Sequence, residues 1–76
     1  GGNAMIFNER LKILREERKL TQEKAAEEIG IPLRSYHRLE SDGPKTHYDT
    51  LLKIADYYNV SVDWLMGRTD KREVNQ

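Results

Sequence analysis

The sequence contains no cysteine, so neither a disulfide nor a thiolate-bound metal can staple the fold, and apolar packing has to hold it. No apolar run approaches the roughly 20 residues that a membrane-spanning helix needs. No charged-then-apolar leader opens the chain, and the expected address is the cytoplasm. Neither sign of charge is in excess: thirteen basic residues face thirteen acidic ones, which argues against an indiscriminate polyanion binder. No useful length alternates with period two, so strands are not expected. Catalytic equipment is missing too. The two histidines, His37 and His47, stand ten residues apart with no cysteine or paired carboxylates at metal-ligand spacing. Ser35 and His37 stand at i and i+2, which do not face each other on a helix. There is no glycine-rich phosphate cradle. These absences exclude the usual enzyme classes, and no cofactor, metal or small-molecule ligand is expected.

What is present is a chain of 76 residues, 37% apolar and 34% charged. That is polar for a globular domain but not disordered. A chain of this size buries only about 60% of its unfolded surface, so its core has to be small and efficient. Gly1-Gly2-Asn3-Ala4 ahead of Met5 reads as a cloning remnant. One domain is expected over 5–67, followed by a polar, frayed tail over 68–76. Charge is unevenly spread: residues 5–20 carry +2, 21–29 carry −2, 30–47 carry +1, 48–67 carry −2 and the tail +1. A polyanion would therefore meet the first and middle segments.

The apolar spacing predicts an all-α, compact five-helix bundle. Phe7, Leu11 and Leu14 mark a first helix over about 7–18, with Ile13 off the stripe. Thr21 can cap a second helix, with Glu23 in its first turn and Gly30 as its left-handed stop. Gly30-Ile31-Pro32 leads into a third helix from Pro32 to about residue 41, since proline suits a first helical position. On that helix Pro32, Tyr36 and Leu39 fall on one side, while Leu33, Arg34, His37, Arg38 and Ser41 fall on the other. Glu40 sits at the edge of the apolar side. Thr46 and Asp49 have capping-box spacing for a fourth helix carrying Leu51, Ile54, Ala55 and Tyr58 and ending near Asn59. Ser61 can cap a short fifth helix with Val62, Trp64 and Leu65, closed by Gly67.

Two short helices joined by a three-residue turn containing glycine form a helix-turn-helix. Ala25 and Ala26 allow close approach, and Gly30 allows the reversal. Arg34 and Arg38, four residues apart, project from one face. An α-helix fits the major groove of B-DNA, and an arginine fork matches the O6/N7 acceptors of guanine. The stretches LKILREERKLTQEKAAEEIGI, RSYHRLE and TLLKIADYYNVSVDWLMG resemble the Cro/C1-type (XRE-like) helix-turn-helix transcription regulators, in that family's order and spacing.

The resemblance implies a lambda-repressor-like domain that inserts its third helix into the major groove, and a sequence-specific regulator of double-stranded DNA, a repressor. On it, Leu33, Arg34, His37 and Arg38 match base-reading positions. Thr21, Gln22 and Ser41 match phosphate contacts, with Lys45 the loop's best candidate for another. Arg15 and Glu40 match a structural ion pair. A weak or DNA-dependent homodimer on a palindromic operator is expected, with the fifth helix contributing. The sequence departs from the family at Pro32, where a capping side chain is usual, and at Ala25, where leucine is common. Tyr36 replaces a smaller aliphatic residue, and its hydroxyl has to reach water, a phosphate or an internal acceptor. Asp42-Gly43-Pro44 replaces a more basic loop. The rival reading is a protein-interaction module, such as the antitoxin of a toxin–antitoxin pair, binding through a patch of Ile13, Trp64, Leu65 and Met66.

Overall fold

The computed structural model describes the backbone of residues 2–74 and the side chains of residues 6–74. Helix formation is ordered by three chain reversals of one kind. Helix α1 (Gly2–Glu17) ends where Leu20 N–H donates to Arg15 C=O at 3.1 Å and Lys19 N–H donates to Glu16 C=O at 2.9 Å. Lys19 takes the left-handed conformation, φ 56°, completing a Schellman stop. Helix α2 (Gln22–Ile29) ends at Gly30, φ 92°, and α4 (Tyr48–Tyr58) ends at Asn59, φ 56°. In each case the next residue bonds back across the turn: Ile31 N–H to Ala26 C=O at 3.0 Å, and Val60 N–H to Ala55 C=O at 2.9 Å.

Helix starts are less uniform. Thr21 caps α2 by accepting from Lys24 N–H at 3.1 Å, and Ser61 caps α5 (Val62–Leu65) by accepting from Trp64 N–H at 3.2 Å. Helix α3 (Leu33–Asp42) begins one residue later than expected. Pro32 is the N-cap, with extended backbone, no capping side chain and an exposed ring rather than a place in the core. The expected Thr46/Asp49 capping box does not form. His47 occupies the N-cap of α4, and no side chain caps it. Helix α1 also begins earlier than expected, at Gly2.

Regular structure among the described residues is all helical, in five helices. Helix α3 packs against both α1 and α2, while α5 joins α1 to α4. The core takes Phe7, Leu11 and Leu14 from α1, Ala25, Ala26 and Ile29 from α2, and Tyr36 and Leu39 from α3. Leu51, Ile54, Ala55, Tyr58, Val60, Trp64 and Leu65 complete it. Ala25 and Ala26 are both buried in the core, and Tyr36, fully buried, supplies bulk that an aliphatic residue would not.

The tail is not frayed over its described part. Ser61 N–H donates to Arg72 C=O at 2.9 Å, and the Arg72 guanidinium bridges Glu17, with one bond at 2.9 Å. Arg10 donates to the carbonyls of Trp64 and Thr69 and lies 4.6 Å from the Trp64 ring centroid; Arg72 lies 5.4 Å from the same ring. Two cations against one indole account for the docking of 68–74. Residues 75 and 76 lie outside the described part. No helix among the described residues is long and apolar enough to cross a membrane.

Candidate nucleic-acid interface

Helix α3 divides sharply. Tyr36 and Leu39 are 0% and 3% exposed, whereas Arg34, Ser35, His37, Arg38 and Ser41 are exposed. Leu33 is half-buried and packs against the core. Of the five residues expected on the projecting side, it offers a partner the least surface.

The buried edge of α3 is held by a polar knot. Arg15 Nε donates to Glu40 Oε2 at 2.7 Å and its Nη2 to Glu40 Oε1 at 3.3 Å, while its Nη1 donates to Leu20 C=O at 2.8 Å. Gln22 Nε2 adds a bond to Glu40 Oε1 at 3.0 Å. One carboxylate thus ties α3 to α1 and α2, and Arg15 also secures the reversal that ends its own helix. Burial opposes ionisation of Glu40, whose side chain is 7% exposed. The Arg15 guanidinium outweighs it, helped by the neighbouring Tyr36 hydroxyl and the Gln22 amide, and holds the carboxyl below the usual carboxylate value. The bond to Glu40 in turn raises Arg15.

Tyr36 closes this knot from the core side. Its hydroxyl and that of Tyr58 are buried, and neither makes a hydrogen bond of good geometry. Burial, then the nearby Glu40 carboxylate, pushes the Tyr36 phenol far up, so it stays neutral. Sealed from the surface, this hydroxyl faces Glu40 and Tyr58 rather than a bound phosphate.

The arginines separate into two groups. Arg10 and Arg72 hold the tail, Arg15 holds Glu40, and Arg18 lies over the rings of Tyr57 and Tyr58 at 4.7 and 5.1 Å. Arg34, Arg38 and Arg68 enter none of the ion pairs found among the described residues. Two of these three sit on the exposed face of α3. Lys45, also exposed and outside those pairs, follows the turn at Gly43, φ 101°, where its N–H donates to Gly43 C=O at 2.9 Å.

The other expected contact residues are placed unevenly. Thr21 is exposed, and its oxygen accepts from Lys24 N–H. The Gln22 side chain turns inward to Glu40, leaving the first turn of α2 to face outward through its backbone. The Ser41 hydroxyl lies 2.9 Å from His37 C=O and 3.1 Å from an Asp42 carboxylate oxygen, so its hydrogen is committed locally. A shallow cleft of about 250 Å³ lies among α1, α2 and α3, lined by Lys12, Arg15, Gln22, His37, Glu40 and Ser41. Lys12 is the residue that sequence reasoning passed over. It stands off the apolar stripe of α1, and nothing in the order of residues says that this side of α1 borders α3.

Comparison with known proteins shows the family to which this fold belongs. Residues 11–65 match the family described as helix-turn-helix. The chain is 43% identical over 65 residues to the uncharacterized HTH-type transcriptional regulator YobD of Bacillus subtilis, covering 86% of this chain and 58% of that protein. It is 36% identical over 72 residues to the HTH-type transcriptional regulator ImmR of the same organism, covering 95% and 57%. To the cryptic phage CTXphi transcriptional repressor RstR of Vibrio cholerae it is 41% identical over 71 residues, covering 91% and 63%. The chain thus spans about three-fifths of the length of these relatives. No solved structure matches it significantly.

Proposed function

Because the chain belongs to the Cro/C1-type helix-turn-helix family, we propose that it is a sequence-specific regulator of transcription that binds double-stranded DNA and represses by occupancy. The observation that carries this reading is the split of α3: Arg34 and Arg38 stand exposed and outside any described ion pair, on a helix fixed from behind by Tyr36, Leu39 and the Glu40 knot. A recognition helix has to be rigid, since each misplaced ångström weakens a bidentate contact. It also has to offer donors that the protein does not already use.

In this reading Arg34 and Arg38 read bases, each good fork discriminating by about 1–3 kcal/mol. His37 lies between them. Leu33 has only a half-buried edge to present to a thymine methyl. Thr21, Gln22, Ser41 and Lys45 meet phosphates, which sets register without reading sequence. Thr21 keeps its own hydroxyl hydrogen to donate. Gln22 acts through the positive N-terminal end of α2, and Lys45 acts as a bare charge. Ser41 contributes only by exchanging its local bond.

The described Cα atoms extend 28 Å along their longest axis, less than the roughly 34–36 Å between half-sites one helical turn apart. One copy therefore covers one half-site, and a weak or DNA-dependent homodimer on a palindromic operator supplies the rest. The reading assigns no catalytic step, cofactor or small-molecule ligand, and it places the protein in the cytoplasm with its DNA. The rival interaction module loses most of its surface, because Trp64 and Leu65, 9% and 0% exposed, lie in the chain's own core.

Selection from random duplexes should return a palindromic site with strong preference. On that site Arg34→Ala should lower affinity at least tenfold while leaving random-sequence binding nearly unchanged. Equal losses on both duplexes would remove Arg34 from the reading role.

A further inference from the structure

We infer that Asn8, on α1, is a positioning residue for the recognition helix: its amide anchors the C-terminal end of α3, and the accuracy with which Arg38 meets DNA depends on it. The inference rests on the DNA-binding reading above and adds to it a residue outside the helix-turn-helix. Three observations converge. The end of α3 lacks the stop that closes α1, α2 and α4. Where Leu20, Ile31 and Val60 each return an N–H across the turn, α3 is followed by Gly43 and Pro44, and proline has no N–H to return. The last four carbonyls of the helix therefore need partners from elsewhere. Asn8 supplies one, its Nδ2 donating to Ser41 C=O at 3.2 Å. Only the amide nitrogen can face a carbonyl, which fixes the orientation of the group. The opposite end of the same amide has no such use: Asn8 Oδ1 is buried and makes no hydrogen bond among the described residues. An unpaired buried acceptor disfavours folding, so what the asparagine contributes here is its bond to α3.

Asn8 and Arg15 stand seven residues apart, about two turns, and so share one face of α1. Arg15 grips the Glu40 side chain, and Asn8 grips the backbone of the next residue. One anchor leaves a helix free to pivot about it; a second on the same rigid element stops the pivot. The N-terminal end of α3 has no side-chain cap either, so the placement of this helix relies on its neighbours. Arg38 stands three residues before Ser41, and Arg34 seven. Loosening the last turn of α3 therefore moves Arg38, which borders it, and leaves Arg34 near the start of the helix in place.

The test measures affinity for a selected and a random duplex, together with the melting temperature, for the parent, Asn8→Ala and Asn8→Leu. Leucine keeps the volume of the side chain while removing both the donor and the unpaired acceptor. Each variant should lower the selected-to-random affinity ratio by about fivefold, the low end of what one arginine fork discriminates. Random-duplex binding and the log–log salt slope should stay parental, since no charge is removed, and Asn8→Leu should melt no lower than the parent. The double variant Asn8→Leu/Arg38→Ala should lose little beyond Arg38→Ala alone, whereas Asn8→Leu/Arg34→Ala should lose the product of the two single losses. A parental ratio in Asn8→Leu, with Arg34→Ala still selectively impaired, overturns the inference and leaves the regulator standing; a lower melting temperature beside that parental ratio would make Asn8 a stabiliser only. A loss in Asn8→Ala that Asn8→Leu repairs would assign the effect to packing, and a reduced salt slope would put Asn8 on the DNA itself. Either result overturns the positioning role. A parent that prefers no duplex overturns both readings.

Discussion

Arg15 and Arg34 have the same side chain and opposite employment, and burial decides which does what. The Arg15 side chain is 13% exposed and is spent on Glu40 and Leu20 C=O. Removing one partner of such a buried pair strands the other charge and costs about 3 kcal/mol or more. Arg15→Ala should therefore lower the unfolding free energy by about that much in urea denaturation, where Arg34→Ala changes it by less than about 0.5 kcal/mol. The pH dependence follows from the direction at Glu40. Its folded pKa is depressed, so its contribution is complete above the ordinary carboxylate value of about 4.3 and is lost as pH falls through the lower folded value. Glu40→Gln should flatten the acid limb of stability below about pH 4 relative to the parent; an identical limb would show that Glu40 does not set it. The i, i+4 spacing of Arg34 and Arg38 could be read in the sequence because it is local to one helix. The inward turn of the Gln22 amide could not, because it depends on where α3 brings Glu40.

At the scale of elements, the three Schellman stops were legible in proportion to their chemistry. Gly30 announces a left-handed residue, and Asn59 tolerates one, but Lys19 carries no such mark. The sequence therefore predicts α1 to run through Arg18, whereas it ends at Glu17. A lysine in the left-handed region costs about 1–2 kcal/mol, and glycine there would give back about 0.5–1 kcal/mol of that through its looser unfolded chain. Lys19→Gly should thus stabilise the domain by about 0.5–1 kcal/mol and raise its melting temperature by a few degrees. A lower melting temperature would mean that the lysine side chain does something here besides strain the turn. Helix starts were harder to place. Thr21 and Ser61 cap as their chemistry suggests, but the extended backbone settles at Pro32 and His47, which offer no capping bond.

Taken whole, the molecule has no net charge and still presents an uneven surface. The outer side of α2 bears Glu23, Glu27 and Glu28, exposed, while the exposed side of α3 and the loop after it bear Arg34, Arg38 and Lys45. Such a distribution orients approach to a polyanion without indiscriminate stickiness. Lys45→Ala should weaken selected and random duplexes alike and reduce the log–log salt slope by about one unit. An unchanged slope would take the loop off the DNA backbone. Among the described residues, the large apolar ones left exposed are Ile13 on α1, Tyr48 at the start of α4 and Val74 in the tail.

The sequence by itself determined five helical segments, the glycine turn between the second and third, the apolar stripes that build the core, and the side of the third helix that faces water. These follow from periodicity and from the backbone preferences of single residues, which act over a few positions. Only the tertiary structure decided that Tyr36 keeps its hydroxyl inside, that Arg10 and Arg72 both meet the Trp64 ring and so dock the tail, and that Lys12 borders a cleft shared with the recognition helix. Each of these joins residues far apart in the chain, and nothing local states which faces will meet.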